Sequence, residues 1–152
     1  MAEEKLEMVK EIVRLKQVVA EGEIVRERIT SPDDAVRIAT NYIGDEDREI
    51  FLVLVLNTKN QVNAIHRCHA GSVNASIVHP REVFKVAILN NGHSIVVAHN
   101  HPSNDPTPSR QDIEVTRRLQ EAGSLLGIEL LDSLIVTNSP HNYVSLKEKG
   151  YL

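Results

Sequence analysis

Residues 98–112 read AHNHPSNDPTPSRQD, and this stretch decides how the rest of the chain can be arranged. His99 and His101 follow a short apolar run, and side chains two residues apart point to the same face of a strand. Asp112 follows His101 by eleven residues, so it can approach both histidines if the chain folds back. Imidazole and carboxylate groups are common ligands of catalytic zinc, which keeps one position open to water. The stretch therefore predicts a metal site at the end of a strand.

The same stretch also has a simpler interpretation as the start of a helix. Ser109-x-x-Asp112 is typical of a capping box, in which the serine caps the helix and the acid lies in its first turn. The two interpretations are compatible, because a helix start held by its own cap would keep Asp112 rigidly beside His99 and His101.

Composition limits the class of protein. The chain has 152 residues, 41% of them hydrophobic and 25% charged, which fits one soluble domain with a substantial core. A net charge of −4 argues against a broad nucleic-acid-binding face, although a local basic patch stays open. The single cysteine, Cys68, excludes an internal disulfide and a Cys-rich zinc finger. With no signal peptide or membrane-spanning run in the sequence, we expect a cytoplasmic setting and no membrane partner.

The N-terminal residues 1–28 form an amphipathic helix and a connector in our interpretation. Met8, Ile12, Leu15 and Val19 repeat at helical spacing, which predicts a helix over 2–21. The helix either packs on its own domain or serves as a docking or dimer helix, so self-association through it is one of the two expectations. Residues 29–152 make up the second unit, which carries the predicted metal site.

Strands and helices are interspersed along residues 29–152. The run IFLVLVL at 50–56 predicts a strand buried on both faces, and the polar, alternating residues 61–69 predict a strand nearer an edge. Helix starts are indicated at Ser31-Pro32, where Ser31 would cap, at Pro80 and at Ser109. These patterns predict an α/β (α+β) fold with a mixed β-sheet and helices on both faces.

The two later helices carry apolar stripes, and the remaining strands are short. Ile88 is expected on the buried stripe of the helix that starts at Pro80, and Leu125 and Leu126 on that of the last helix. Further strands are expected at 94–98, 128–136 and 143–145.

The central stretch carries a family resemblance. His99-Asn100-His101-Pro102-x6-Ser109-x-x-Asp112 resembles the JAMM motif of MPN/JAB-domain metalloproteases, H-[S/T]-H-P-x6-S-x-x-D. The fuller text HNHPSNDPTPSRQD resembles the RadC-type branch, whose signature is HNHPSG-x-P-x-PS-x-x-D, and LNTKN, PREVFKVAILNN and LGIELLD are similar to that branch too. The resemblance covers about residues 29–150 and implies a JAB1/MPN-like (cytidine-deaminase-like) domain.

The resemblance implies roles for individual residues. His99, His101 and Asp112 would ligate Zn²⁺, and Ser109 would hydrogen-bond the oxyanion or the bound water. The family also needs an upstream glutamate as the acid/base, and Glu49 fits because it lies just before the buried strand. Glu46 is a weaker candidate, and Glu82 has the wrong context because it opens a helix.

Two positions depart from the branch pattern. Asn104 stands where the branch has glycine, which predicts a left-handed backbone that asparagine tolerates better than most residues. Ser133 stands where the branch usually has histidine after Leu131-Asp132, so no accessory role is carried over to that position.

The implied function is that of a zinc-dependent metallohydrolase of the metallopeptidase or isopeptidase type. Its substrate would be a protein or peptide, whose amide bond is cleaved by metal-activated water. The alternative is a DNA-repair-associated RadC-like protein or scaffold with a structural or vestigial metal site. A hydrolase depends on Glu49 for turnover, whereas a scaffold does not.

Overall fold

A computed structural model describes residues 9–13 and 27–152 of the chain. Most of the helix predicted over 2–21 lies outside these residues. The part that is described, residues 9–13, is not helical, so the prediction is wrong there and stays a prediction for the rest of the span. The division at residue 28 and the proposed docking or dimer role of that helix stay predictions as well.

Eight elements follow one another along the described chain. Their order is α1 (Pro32–Ile43), β1 (Ile50–Leu56), β2 (Val62–Ala70), α2 (Pro80–Leu89), β3 (Ser94–Asn100), α3 (Arg110–Leu126), β4 (Glu129–Val136) and β5 (Val144–Ser145). The strands form one sheet in the order β2-β1-β3-β4-β5. β3 and β4 run parallel and the other neighbours run antiparallel, so the sheet is mixed, as predicted.

The helices cover both faces of the sheet, which confirms the predicted layers. α1 packs on one face, against side chains such as Leu52, Val96 and Leu134. α2 and α3 pack on the other face, where Phe84 and Leu119 meet Val53 and neighbouring strand residues. Every residue of β1 is buried, which explains its continuous apolar run. β2 lies at the sheet edge, as predicted, and its residues after Val62 are half-buried or exposed.

α3 is the connection that brings the site together. Because β3 and β4 are parallel, the chain must cross over between them, and α3 makes that crossover. The helix begins at Arg110, close after β3 ends at Asn100. Its first turn therefore lies near the carboxyl end of the strand that carries His99.

Three side chains expected in the core are exposed instead. Ile88 is 56% exposed, Leu125 89% and Leu126 49%. They line an apolar groove between α2 and α3 on the side away from the sheet. On both helices the apolar residues occupy more of the surface than the sheet covers. The predicted buried stripes therefore included residues that are exposed.

The start of α1 was predicted at the right place but with the wrong cap. Ser31 lies at the N-cap with an extended backbone, yet its side chain makes no capping hydrogen bond. The Thr30 amide and hydroxyl instead donate to Asp34 Oδ2, each over 2.9 Å. A carboxylate inside the first turn thus holds the residue before the N-cap.

Candidate metal centre

The two histidines reach the centre from the end of β3. His99 pairs with Phe51 of β1 on one side and with Ile135 of β4 on the other, so its backbone is fixed by the middle of the sheet. His101 lies beyond the strand, but its amide donates to the Val136 carbonyl over 3.0 Å. The extended backbone therefore continues, and both imidazoles point to the same face, as their spacing predicts.

Asp112 reaches the centre from the first turn of α3. The Asp112 amide donates to Ser109 Oγ over 3.1 Å, and the Ser109 amide donates to Asp112 Oδ2 over 2.8 Å. This is the predicted capping box. Oδ1 faces His99, and Oδ2, which accepts in the cap, also lies beside His101, so the cap and the predicted metal site share one carboxylate.

The ligand atoms lie at distances that suit a small cation. His99 Nε2 and His101 Nε2 are 3.2 Å apart. His99 Nε2 is 3.1 Å from Asp112 Oδ1, and His101 Nε2 is 3.2 Å from Asp112 Oδ2. A tetrahedral zinc ion with bonds of about 2.0–2.1 Å holds neighbouring ligand atoms about 3.3 Å apart. The three side chains therefore fit a divalent metal, in both donor type and spacing.

A backbone carbonyl fixes the orientation of His101. His101 Nδ1 lies 2.8 Å from the Asp105 carbonyl oxygen, and a carbonyl can only accept. Nδ1 must therefore carry the proton, which leaves the lone pair of Nε2 directed at the centre. Such an outer contact is typical of metal-binding histidines.

His99 is held by packing. Its side chain is 2% exposed and its ring stacks on Phe51, with centroids 6.2 Å apart. Its Nδ1 has no hydrogen-bond partner among the described residues. A buried polar atom left without a partner costs about 1–3 kcal/mol, so packing has to offset this cost.

The electrostatics of the three side chains favour an ion pair. The hydrogen bond to Asp112 raises the pKa of the His101 imidazole above its ordinary value. Burial raises the pKa of the Asp112 carboxyl, but hydrogen bonds from His101 and His99 act the other way and hold that pKa well below its ordinary value. A carboxylate that stays ionised while buried is a suitable ligand for a cation.

Glu49 lies beside this triad without being part of it. Glu49 Oε1 is 3.9 Å from His101 Nε2, and the Val73 amide donates to Glu49 Oε2 over 3.2 Å. The side chain is 30% exposed, so water can reach it. The other two glutamates weighed from the sequence have no such place. Glu82 forms an ion pair with Lys85 on α2. Glu46 contacts this region through its backbone carbonyl, which accepts from the Asn100 side chain.

Ser109 is exposed at the start of α3. Its Oγ accepts from the Asp112 amide, which leaves the hydroxyl hydrogen available as a donor. Its role toward substrate stays a prediction.

Both departures from the branch pattern have a structural explanation. Asn104 has a φ of 63°, so its predicted left-handed backbone is confirmed. Its Oδ1 accepts from the Asn138 amide over 3.2 Å, a contact that glycine could not make. Ser133 is 2% exposed and its Oγ accepts from the Thr116 hydroxyl over 2.8 Å, which ties it to α3.

Two contacts at the centre were not predicted from the sequence. One is the Asp105 carbonyl that orients His101, and the other is the Asn100 side chain, which lies between the two histidines in the sequence. A buried asparagine at the end of an apolar strand is a signal that could have been noticed, whereas a backbone carbonyl leaves none. Within 9–13 and 27–152, the triad is the only group of three or more His, Cys, Asp or Glu residues that could hold a metal ion.

This centre, which could hold a metal ion, and the mixed sheet beneath it fit a domain of the JAB type. A family model described as the RadC-like JAB domain matches residues 29–151, and the chain belongs to that family. No helix within the described residues is long and apolar enough to cross a bilayer.

Curated relatives are similar over most of this chain. A UPF0758 protein of Caldanaerobacter subterraneus is 51% identical over 123 residues, which are 81% of this chain and 52% of that protein. The UPF0758 protein YsxA of Bacillus subtilis is 54% identical over 124 residues, 82% of this chain and 53% of that protein. A UPF0758 protein of Desulforamulus reducens is 47% identical over 139 residues, 91% of this chain and 59% of that protein. The chain thus spans a little over half the length of these relatives.

Proposed function

We propose that this domain is a zinc-dependent hydrolase that cleaves an amide or isopeptide bond in a peptide or protein. One observation carries the proposal. Three side chains that could ligate a metal approach one another to about 3 Å, and a fourth, that of Glu49, lies beside them with its Oε1 3.9 Å from His101 Nε2. A purely structural zinc site is usually closed by a fourth protein ligand, whereas catalytic sites keep three.

The residues would divide the chemistry among them. His99, His101 and Asp112 would hold the ion, which when bound supplies a Lewis acid and lowers the pKa of water toward neutrality. Glu49 would accept the proton of the attacking water and deliver it to the leaving amine. Its hydrogen bond from Val73 keeps one oxygen occupied, so Oε1 is the atom for this transfer. The Ser109 hydroxyl would donate to the oxygen of the scissile carbonyl as negative charge develops there.

The test compares two neighbouring glutamates. Zinc-loaded protein is assayed on a library of fluorescence-quenched peptides, as the wild type and as Glu49→Gln and Glu46→Gln variants. Loss of a general base typically costs 10²–10⁴-fold, so Glu49→Gln should keep its zinc and lose at least about 100-fold in turnover. Glu46→Gln is the matched control and should retain activity.

The alternative, a scaffold or DNA-repair-associated protein with a structural or vestigial metal site, predicts a different outcome. Such a protein would be indifferent to Glu49→Gln, and the wild type would cleave no peptide in the library. Either result would contradict the proposal. A cytoplasmic setting and self-association through the N-terminal helix stay predictions.

A further inference from the structure

Asn100 lies between the two histidines in the sequence. Its side chain is buried and points to the opposite face of the strand from theirs. It is 0% exposed, and its carboxamide is directed at the segment that precedes β1. Its Oδ1 accepts from the Ile50 amide over 2.7 Å. Its Nδ2 donates to the Arg48 carbonyl over 3.0 Å and to the Glu46 carbonyl over 3.4 Å. One side chain thus holds backbone groups on both sides of Glu49.

This segment lacks the strand contacts that hold the residues after it. The pairing of β1 with β3 stops at Phe51 and His99, so residues 46–49 receive no backbone hydrogen bond from β3. The Asn100 carboxamide provides contacts to the segment in place of further strand pairing. On the β2 side, the Gly71 amide donates to the Glu49 carbonyl over 2.7 Å. The Glu49 backbone is therefore held from both neighbouring strands.

We propose that Asn100 is a positioning residue that sets the place of the Glu49 carboxylate relative to His99 and His101. The proposal rests on the function proposed for Glu49. Asn100 belongs to the same extended backbone as the histidines, so its side chain ties the acid/base to the metal ligands within one rigid unit. Asparagine suits the task because it offers an acceptor for one amide and donors for two carbonyls. Aspartate would keep the acceptor, but its anionic form would face two carbonyl oxygens.

The first readout does not depend on activity. The Val73 amide donates to Glu49 Oε2, whereas the Asn100 side chain bonds to Glu46, Arg48 and Ile50, so exchange at Val73 reports on Glu49. If Asn100→Ala lets Glu49 move, the Val73 amide should exchange with solvent about tenfold faster in the zinc-loaded protein. Glu49→Ala is the positive control because it removes the acceptor itself. Asn57→Ala is the matched control, since Asn57 follows β1 and its Oδ1 accepts from the Lys59 and Gln61 amides at the other end of the strand.

The second readout is a double-mutant cycle on turnover. A misplacement of about 1 Å can cost on the order of 100-fold in rate, so Asn100→Ala should lower kcat by about 10- to 100-fold. Zinc affinity should stay within about threefold of the wild type. In a Glu49→Gln background, Asn100→Ala should change the remaining rate by less than about twofold, because the group that it positions is already disabled.

The outcomes separate the positioning role from the function itself. Two results would overturn the positioning role. One is an unchanged exchange rate of the Val73 amide in Asn100→Ala. The other is that Asn100→Ala lowers the rate as much in the Glu49→Gln background as it does in the wild type. If wild-type protein cleaves nothing, the proposed function fails, and exchange at Val73 alone decides whether Asn100 positions Glu49. Should Asn100→Ala not fold, Asn100→Asp replaces it, with the same expectation at Val73 and in the cycle. Full activity together with wild-type Val73 exchange in Asn100→Asp overturns the proposal.

Discussion

Replacing His101 by alanine should remove the stabilisation that zinc gives to the fold. His101 is a better choice than His99 because its side chain is 13% exposed, whereas that of His99 is 2% exposed. Loss of His99 would also leave a cavity against Phe51, which would lower stability for a reason unrelated to metal. His101→Ala mainly removes one ligand of the triad.

The expected shift follows from linkage. Zinc at 100 times its dissociation constant stabilises a protein that binds it only when folded by about 2.7 kcal/mol. For a domain of this size, each kcal/mol moves Tm by about 2–4 °C, so zinc should raise the wild-type Tm by about 5–11 °C. If His101→Ala weakens binding about 100-fold, the same zinc concentration supplies about 0.4 kcal/mol. The shift then falls to about 1–2 °C.

Circular dichroism is the suitable assay, because the chain has no tryptophan to report unfolding by fluorescence. Tm is measured with and without zinc for the wild type, His101→Ala and His141→Ala. His141 is an exposed histidine in the turn after β4, so its variant should keep the full shift. An equal zinc shift in His101→Ala, or none in the wild type, would refute the account of the centre.

Three further outcomes are expected. Ser109→Ala removes the acceptor of the Asp112 amide and should lower the free energy of unfolding by about 1 kcal/mol in urea; unchanged stability would show that the cap contributes nothing. Because Asp112 raises the pKa of metal-free His101, a proton competes with zinc below that raised pKa. Zinc affinity, measured by calorimetry, should therefore fall as pH drops through it, and affinity independent of pH from about 6 to 8 would argue against His101 as a ligand. Gly123→Ala brings a Cβ into a clash with the Ile128 carbonyl oxygen and should destabilise the protein by about 1–3 kcal/mol, whereas wild-type stability would mean that this contact relaxes freely.

Most of the fold could be predicted because local and long-range signals agree. The run at β1 is apolar throughout, and the structure places this strand inside the sheet with every residue buried. The starts of α1 and α2 were found from the proline at the first helical position, and that of α3 from its capping box; both signals act on neighbouring backbone groups. The backbone of Asn104 was predicted for the same reason, since a left-handed φ depends on the residue itself.

The three errors about burial have a common cause. Ile88, Leu125 and Leu126 continue an apolar pattern, but whether a helix residue is buried depends on how far the opposing layer extends. The spacing of apolar residues along a helix does not show how far the opposing layer extends. The same limit applies to Asn100, whose partners precede it by about 50 residues and meet it only once β1 and β3 have paired.

The spacing of the central stretch predicted which side chains would meet. The proximity of His99, His101 and Asp112 follows from strand alternation and from a helix that caps itself at Ser109. The place of Glu49 depended on the family resemblance, because its distance from the histidines along the chain carries no geometric information. The structure puts its carboxylate beside His101, while its catalytic role stays proposed.

X-ray absorption at the zinc edge tests the central claim most directly. Wild-type protein loaded with one equivalent of Zn²⁺ should show only nitrogen and oxygen neighbours at about 2.0–2.1 Å, with the imidazole signature of two histidines. His101→Ala should lose one imidazole from that signature. A sulfur neighbour at about 2.3 Å, which only Cys68 or a methionine could supply, would contradict the account, as would wild-type protein that binds no zinc.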